Sequence, residues 1–343
     1  MRSQWLNALA ILASVLAGSL IVVANTKHPA AHYLPNASYD PTRELYRQLN
    51  PLFEAKYEGE QGSGVAVRQS HGGSSLQARR AASGEESPDV VTLGLPSDVM
   101  IIQNRGLIAQ NWRERLPNQS RPYYSTIIFV VRKGNPHGVR DWPDLVKGEI
   151  SVIVPDPKTS GNGKLAALAA WGAEVLRGAS ESEARDFLRA FYAHAPFLLP
   201  AARAAGDAFA LEGKGDVHIA WENEALREVE ASRGALEIVY PPLSILAEPS
   251  VAWVDANVEK RHSERLARSY LEFLFSEEAQ EIIAQNGYRP FDEAAVRRHA
   301  KRLPPMELFS IERIAQDWMD AQRKFFGEGG IVDAVYTPKP RAE

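Results

Sequence analysis

Apolar and polar positions alternate along this chain in two rhythms. Short, β-branched apolar runs read as strands: Val65-Ala66-Val67, Asp89 to Leu93, Ile127 to Arg132 and Ser151 to Val154. Between them lie stretches with helical spacing. One opens at Asp40-Pro41 and continues through Leu52 to Tyr57. Others are Ser74 to Ser83, Ser97 to Asn104 and the alanine-rich Gly163 to Leu176. Gly134-Asn135-Pro136 ends the Ile127 strand with turn chemistry. This β-then-α rhythm predicts an α/β fold of mainly parallel sheets flanked by helices. No internal repeat or low-complexity linker interrupts it. Near the end, Ile311, Ile314, Trp318 and Phe325 share one face of a helix expected over Ile311 to Phe326. That stripe reads as core, not as a cofactor box.

With 343 residues the chain is long enough for more than one core. Its expected joints are two extended apolar passages, Tyr123 to Val131 and Ile245 to Val254. Neither has the Gly/Ser composition of a flexible linker, so a paired-strand hinge between lobes is expected. At the start, Arg2 precedes an apolar run from Leu6 to Val23, and Val22-Val23-Ala24 has the small-residue pattern of a signal-peptidase site. The run is nearly long enough to span a bilayer, but the polar stretch after it favours cleavage after Ala24. The chain has no cysteine, hence no disulfide, no thiol chemistry and no lipid-modified cysteine. Export without a lipid anchor points to the periplasm.

Charge narrows the function classes. The formal net charge of −4 comes without a basic stripe, so nucleic acid is not an expected partner. The histidines show no HExxH or other metal-ligand spacing, so no metal and no cofactor are expected. Ser74, His71 and Asp40 do not form a triad on sequence grounds, because nothing places them in the required geometry. His71 sits three residues before Ser74 in a turn, where local hydrogen bonding is the simpler role.

Three segments place bare backbone donors at a helix start. Asn36 to Thr42 offers Asp40 as an N-cap and Pro41 as the first helical residue. Gln69-Ser70-His71-Gly72-Gly73-Ser74 leads from a strand through two glycines into a helix. Lys158-Thr159-Ser160-Gly161-Asn162-Gly163-Lys164 is again glycine-rich and again opens a helix. First-turn N–H groups lack intrahelical partners and the helix dipole favours negative charge there, so such places hold oxyanions. Each signal alone is weak. Neither glycine loop is a nucleotide fingerprint.

Together these residues resemble the periplasmic sulfate- and thiosulfate-binding proteins of the ABC importer family, over nearly the whole mature length. The resemblance rests on NASYDPTRE (Asn36–Glu44), RQSHGGS (Arg68–Ser74), PDVVTL (Pro88–Leu93) and STIIFVVRKGNP (Ser125–Pro136). It continues with PDPKTSG (Pro155–Gly161), LAAWG (Leu168–Gly172), IAWENEA (Ile219–Ala225) and ILAEP (Ile245–Pro249). It implies a two-lobed, type II periplasmic-binding-protein architecture with the ligand cleft between lobes. The expected division is a signal peptide over 1–24, lobe I over 33–125, lobe II over 126–247, and a return to lobe I with the C-terminal helix over 248–343. It also implies a non-enzymatic, monomeric receptor that delivers its ligand to an importer permease in the inner membrane.

In that family a dehydrated sulfate is held by neutral donors. Carried over, the ligand-binding residues are the Asp40 backbone N–H and the Ser74 hydroxyl from lobe I. Lobe II would add the Ser160 hydroxyl, the Gly161, Asn162 and Ala202 backbone N–H groups and the Trp221 indole N–H, a donor that cannot accept. A donor-only pocket suits a fully ionised anion and leaves the proton of phosphate unmatched. The Asp40 carboxylate is the one candidate acceptor, and as an N-cap its own helix would occupy it. Two departures stand out: Asn162 replaces the family's second glycine, and Leu199 to Gly206 lacks the usual hydroxyl-rich, acidic run. Those departures keep thiosulfate, molybdate or phosphate open as ligands. An exported phosphate-ester hydrolase is the alternative from another class.

Overall fold

The computed structural model describes residues 32–336; the expected signal segment lies outside them. Two sheets organise the chain. The four-stranded one has the order Ser250–Trp253, Val90–Leu93, His32–Tyr39, Val65–Gly72. His32–Tyr39 pairs in parallel with both neighbours, and Ser250–Trp253 closes the edge antiparallel to Val90–Leu93. The five-stranded sheet has the order Leu198–Leu199, Val152–Pro155, Val217–Trp221, Ile127–Arg132, Leu236–Val239.

The second sheet is more mixed than the β-then-α rhythm suggests. Val152–Pro155 is parallel to Leu198–Leu199 and Val217–Trp221, but Ile127–Arg132 runs antiparallel to both of its neighbours. Ile127–Arg132 is the strand by which the chain enters this lobe from the other, so no preceding helix turns it into the parallel sense. It is buried on both faces. Ile127, Phe129 and Val131 join the large core, while Ile128 and Val130 pack on the opposite side with Ile153, Ala205 and Phe209. A strand covered twice reads as an unbroken apolar run, as here.

The chain passes between the two sheets where Ser125 and Ala247 exchange backbone hydrogen bonds of 3.0 and 2.9 Å. Thr126 Oγ1 adds a 2.8 Å bond to the Ile245 carbonyl. The crossing is narrower than the expected passages, because Ile127–Arg132 and Ser250–Trp253 already belong to the sheets. The expected helix over Ile311 to Phe326 is split: a 3₁₀ turn spans Ile311–Arg313 and a helix spans Trp318–Phe326. Asp317 breaks it by capping the second piece, accepting from the Asp320 N–H at 2.7 Å. Phe325 meets Trp171 edge-on at 5.2 Å, and Lys324 reaches Glu181 at 2.6 Å. Helix Trp318–Phe326 therefore touches helices Gly161–Val175 and Glu181–Ala193, and it also packs on helix Pro96–Gln103.

Candidate anion-binding site

Parallel strands of both sheets run carboxyl end first into the space between the lobes, where open α/β sheets present their binding loops. His32–Tyr39 ends at Asp40, and Val65–Gly72 leads through Gly73 to Ser74. From the second lobe, Val152–Pro155 leads to Ser160, Gly161 and Asn162, and Leu198–Leu199 leads to Ala202. Val217–Trp221 ends on Trp221 itself. Asp40, Ser74, Ser160, Gly161, Asn162, Ala202 and Trp221 all line one cavity, with Tyr39, Pro41, Gly72 and Gly73 completing its wall. Its volume is about 10 Å³. Pockets for organic ligands usually begin at about 300 Å³, so this closed site has no room for one.

Its wall is built largely from helix starts. Ser74 opens helix Ser74–Ser83, Gly161 opens Gly161–Val175 and Ala202 opens Ala202–Ala210. No i−4 carbonyl lies within a helix to receive its first N–H groups. Among the described residues, the N–H groups of Asp40, Ser74, Gly161, Asn162 and Ala202 have no carbonyl or side-chain partner outside the helices and strands. Ser160 occupies the N-cap position but makes no side-chain cap bond, so its hydroxyl stays uncommitted. Trp221 is buried and its indole Nε1 has no partner. The ring stacks at a tilt on Tyr39 of the opposite lobe, 5.3 Å between centroids.

Two expected roles are corrected. The Ser74 hydroxyl donates to Asp98 Oδ2 at 2.6 Å and accepts from the Gly94 N–H at 2.9 Å. Its only proton is spent on a carboxylate, so the hydroxyl has none left to donate to a ligand. Asp40 is not an N-cap: Tyr39 takes that position and Asp40 is the first residue of the 3₁₀ turn Asp40–Thr42. Its carboxylate is held by Arg43 at 2.6 Å. The imagined triad is likewise absent, since Ser74 bonds to Asp98, not His71.

The charges around the cavity neutralise one another. Asp98 accepts from Ser74, from Ser75 at 2.9 Å and from the Lys164 ammonium at 2.9 Å. Arg203 joins Glu44 at 2.8 Å and Glu224 at 3.3 Å. Burial acts to raise the Glu44 carboxyl, but the Arg203 guanidinium outweighs it and holds the group below its ordinary range. Burial raises the Glu224 carboxyl above its ordinary range, against the pull of Arg227 and Arg203. Each of these cations has its own carboxylate, so a ligand here meets neutral donors. Lys164, Asp98, Glu44 and Arg203 were not singled out from sequence as a set. They come from separate segments, and no local spacing links them.

Among the described residues, no group of His, Asp and Glu has the geometry to hold a metal ion, and no helix is long and apolar enough to cross a membrane. The profile of the bacterial extracellular solute-binding proteins matches residues 34–289. The chain belongs to that family. It is a solute-binding protein, not an enzyme.

Its relatives sharpen the picture. A sulfate-binding protein of Salmonella typhimurium is 46% identical over 304 residues, 88% of this chain and 92% of the relative. A thiosulfate-binding protein of Pseudomonas aeruginosa is 41% identical over 328 residues, 95% of this chain and 98% of the relative. The solved sulfate-binding protein SubI from Mycobacterium tuberculosis superposes with a TM-score of 0.76 at 29% identity. It covers 86% of this chain and 99% of its own. The architecture is the two-lobed type II binding-protein fold, also seen at 18% identity in a periplasmic thiamin-binding protein (TM-score 0.63, 85% of this chain and 95% of that one).

Proposed function

We propose that this protein is the periplasmic receptor of a sulfate importer, taking sulfate or thiosulfate and delivering it to an inner-membrane permease. The observation that carries the reading is the cavity in which helix starts from both lobes converge without any unpaired cation. The donors would be the backbone N–H groups of Asp40, Ser74, Gly161, Asn162 and Ala202, the Ser160 hydroxyl and the Trp221 indole. A dianion with many lone pairs satisfies such a set, and donors from helix termini carry favourable dipole. The cavity's size argues for a tetrahedral anion over an organic ester. The names of the Salmonella and Pseudomonas relatives support the sulfur oxyanions over others.

We place the lobe boundaries at the Ser125–Ala247 crossing, so that ligand from one lobe's donors draws in the other by hinge motion. The receptor works as a monomer after cleavage behind Ala24. The test is titration calorimetry of the purified mature chain with sulfate and thiosulfate at neutral pH. One-to-one binding of either anion is the expected result. Silence from both would overturn the reading, and no loss of catalysis enters into it.

A further inference from the structure

Three consecutive residues at the end of strand Val217–Trp221 reach residues that belong with the four-stranded sheet. The Trp221 ring packs on Tyr39, 5.3 Å between centroids. Glu222 holds Arg289 in a buried, bidentate pair of 2.7 and 2.8 Å. Asn223, 6% exposed, donates from Nδ2 to the Pro41 carbonyl at 3.2 Å and to the Tyr288 hydroxyl at 3.0 Å. A carbonyl only accepts, which fixes the amide with its NH₂ on that side. The Tyr288 hydroxyl donates in turn to the same Pro41 carbonyl at 2.7 Å. Its ring lies 4.5 Å from that of Tyr123, whose hydroxyl is 3.4 Å from the Tyr39 hydroxyl. The contacts therefore close a circuit: Trp221, Tyr39, Tyr123, Tyr288, Asn223 and back along the chain to Trp221. The approach is tight. Gly287 has φ +81°, and a Cβ there would lie 3.1 Å from the Asn223 Cα.

Resting on the anion-receptor reading above, we infer that Asn223 is a positioning residue: through Pro41 and Tyr288 it holds the Asp40 turn of one lobe at a set distance from the Trp221 indole of the other. Asn223 does not line the cavity, so it acts on the spacing of the donors and not on the anion. Few torsions separate the anchored Pro41 carbonyl from the Asp40 N–H, because the proline ring fixes its own φ. On the other side, Asn223 stands two residues beyond Trp221 at the start of helix Glu222–Ala231. Its bonds join the two lobes, so they form only when the lobes come together. Such a contact slows the escape of a bound anion and leaves its first encounter with the open form untouched.

The test measures association and dissociation of radiolabelled sulfate and thiosulfate by rapid filtration, on the full mature chain and on Asn223→Ala and Asn223→Leu. Neither variant strips the Pro41 carbonyl, which keeps the Tyr288 hydroxyl, and leucine covers the case in which alanine leaves a damaging void. Loss of two neutral hydrogen bonds should speed dissociation roughly tenfold, with association and the Tm of the free protein unchanged. On a Tyr288→Phe background the Asn223→Ala step should cost less, because one of its two partners is already gone. A merely structural role would lower the Tm and leave both rates at wild-type values, and that result overturns the inference. So does an affinity loss carried by slower association, which would place the effect in the open form. A wild type silent toward both anions overturns the receptor reading and this inference with it. Anion binding that is present in the wild type and unchanged in the variants overturns this inference alone.

Discussion

The ammonium of Lys164 lies 2.9 Å from Asp98 Oδ1, and the two side chains come from opposite lobes. Lys164 sits in the first turns of the helix that opens at Gly161, and Asp98 in helix Pro96–Gln103 beside the Ser74 turn. Lys164 is 3% exposed and Asp98 fully enclosed, so neither charge has water to fall back on. Gln322 of the C-terminal helix takes a second ammonium proton at 2.8 Å. The pair thus ties both lobes and the C-terminal helix together one layer behind the cavity.

Breaking a buried pair by removing one partner strands the other charge, at a cost of about 3–5 kcal/mol. That cost falls on the closed form, because separating the lobes lets water reach Asp98. Lys164→Met should therefore weaken sulfate binding by roughly a hundredfold or more while moving the Tm of the free protein little. Adding Asp98→Asn should recover part of the loss, since the stranded charge is gone. Calorimetry on the single and double variants checks this, and strict additivity would mean that the two groups do not couple.

Closure also depends on a contact with no room in it. A Cβ on Gly73 would lie 2.3 Å from the Thr159 backbone oxygen of the other lobe and 3.4 Å from that of Pro200. Backbone cannot swing aside as a flexible side chain does. Gly73→Ala should leave each lobe folded, with an unchanged circular dichroism spectrum, and lower sulfate affinity by roughly tenfold or more. Solution scattering should show the variant staying extended when sulfate is added. A variant that contracts like the wild type would refute the steric argument.

The sequence carried the local features well and the long-range ones poorly, for physical reasons. Helix Ser74–Ser83 and strand Ile127–Arg132 were legible to the residue, because Gly-Gly punctuates one and an unbroken β-branched run defines the other. The clustering of helix starts was legible only as separate weak signals until a family resemblance ordered them. The antiparallel sense of Ile127–Arg132 was hidden, since a strand buried on both faces reads the same in either direction. So was the capture of the Ser74 hydroxyl: Asp98 is 24 positions away and Lys164 another 66 beyond it. Asp40 misled because Asp before Pro matches a cap, whereas Arg43 takes the carboxylate and the turn is 3₁₀. Asn162 reads in the sequence as a replacement of glycine, and nothing local in it points to the Ile219 carbonyl, 57 positions away, that its carboxamide bonds.

Acid should destabilise this protein in two windows. Burial, aided by Arg43, pushes His71 down from its ordinary 6.5 to about 4. Above 6.5 the ring is neutral in both folded and unfolded chains and contributes nothing. As pH falls through 6.5 the unfolded chain takes a proton that the folded one refuses until about 4, so stability is lost across that interval. Hydrogen bonds from His299 and Arg298 lower Glu281 from 4.5 to about 2, so its contribution is present above 4.5 and disappears toward 2. His71→Gln should flatten the first window and leave the second in place. Urea midpoints measured across both windows check this, and an unchanged slope between 6.5 and 4 would remove His71 from the account.

The sharpest single change lies at Trp221. Its indole is buried at the cavity wall with Nε1 unpartnered, while its ring packs on Tyr39. Trp221→Phe keeps an aromatic face for Tyr39 and deletes the N–H. The variant gives up one hydrogen bond to a charged ligand, worth about 1.5–3 kcal/mol, or roughly 10- to 150-fold in affinity. The smaller ring also leaves space that water enters, which returns part of that loss and favours the lower end. Because the donor is neutral and does not titrate, the loss should be the same on both sides of neutrality. Sulfate titrations of the variant at two pH values decide the matter. An affinity equal to wild type would mean that the indole faces the cavity without serving the anion.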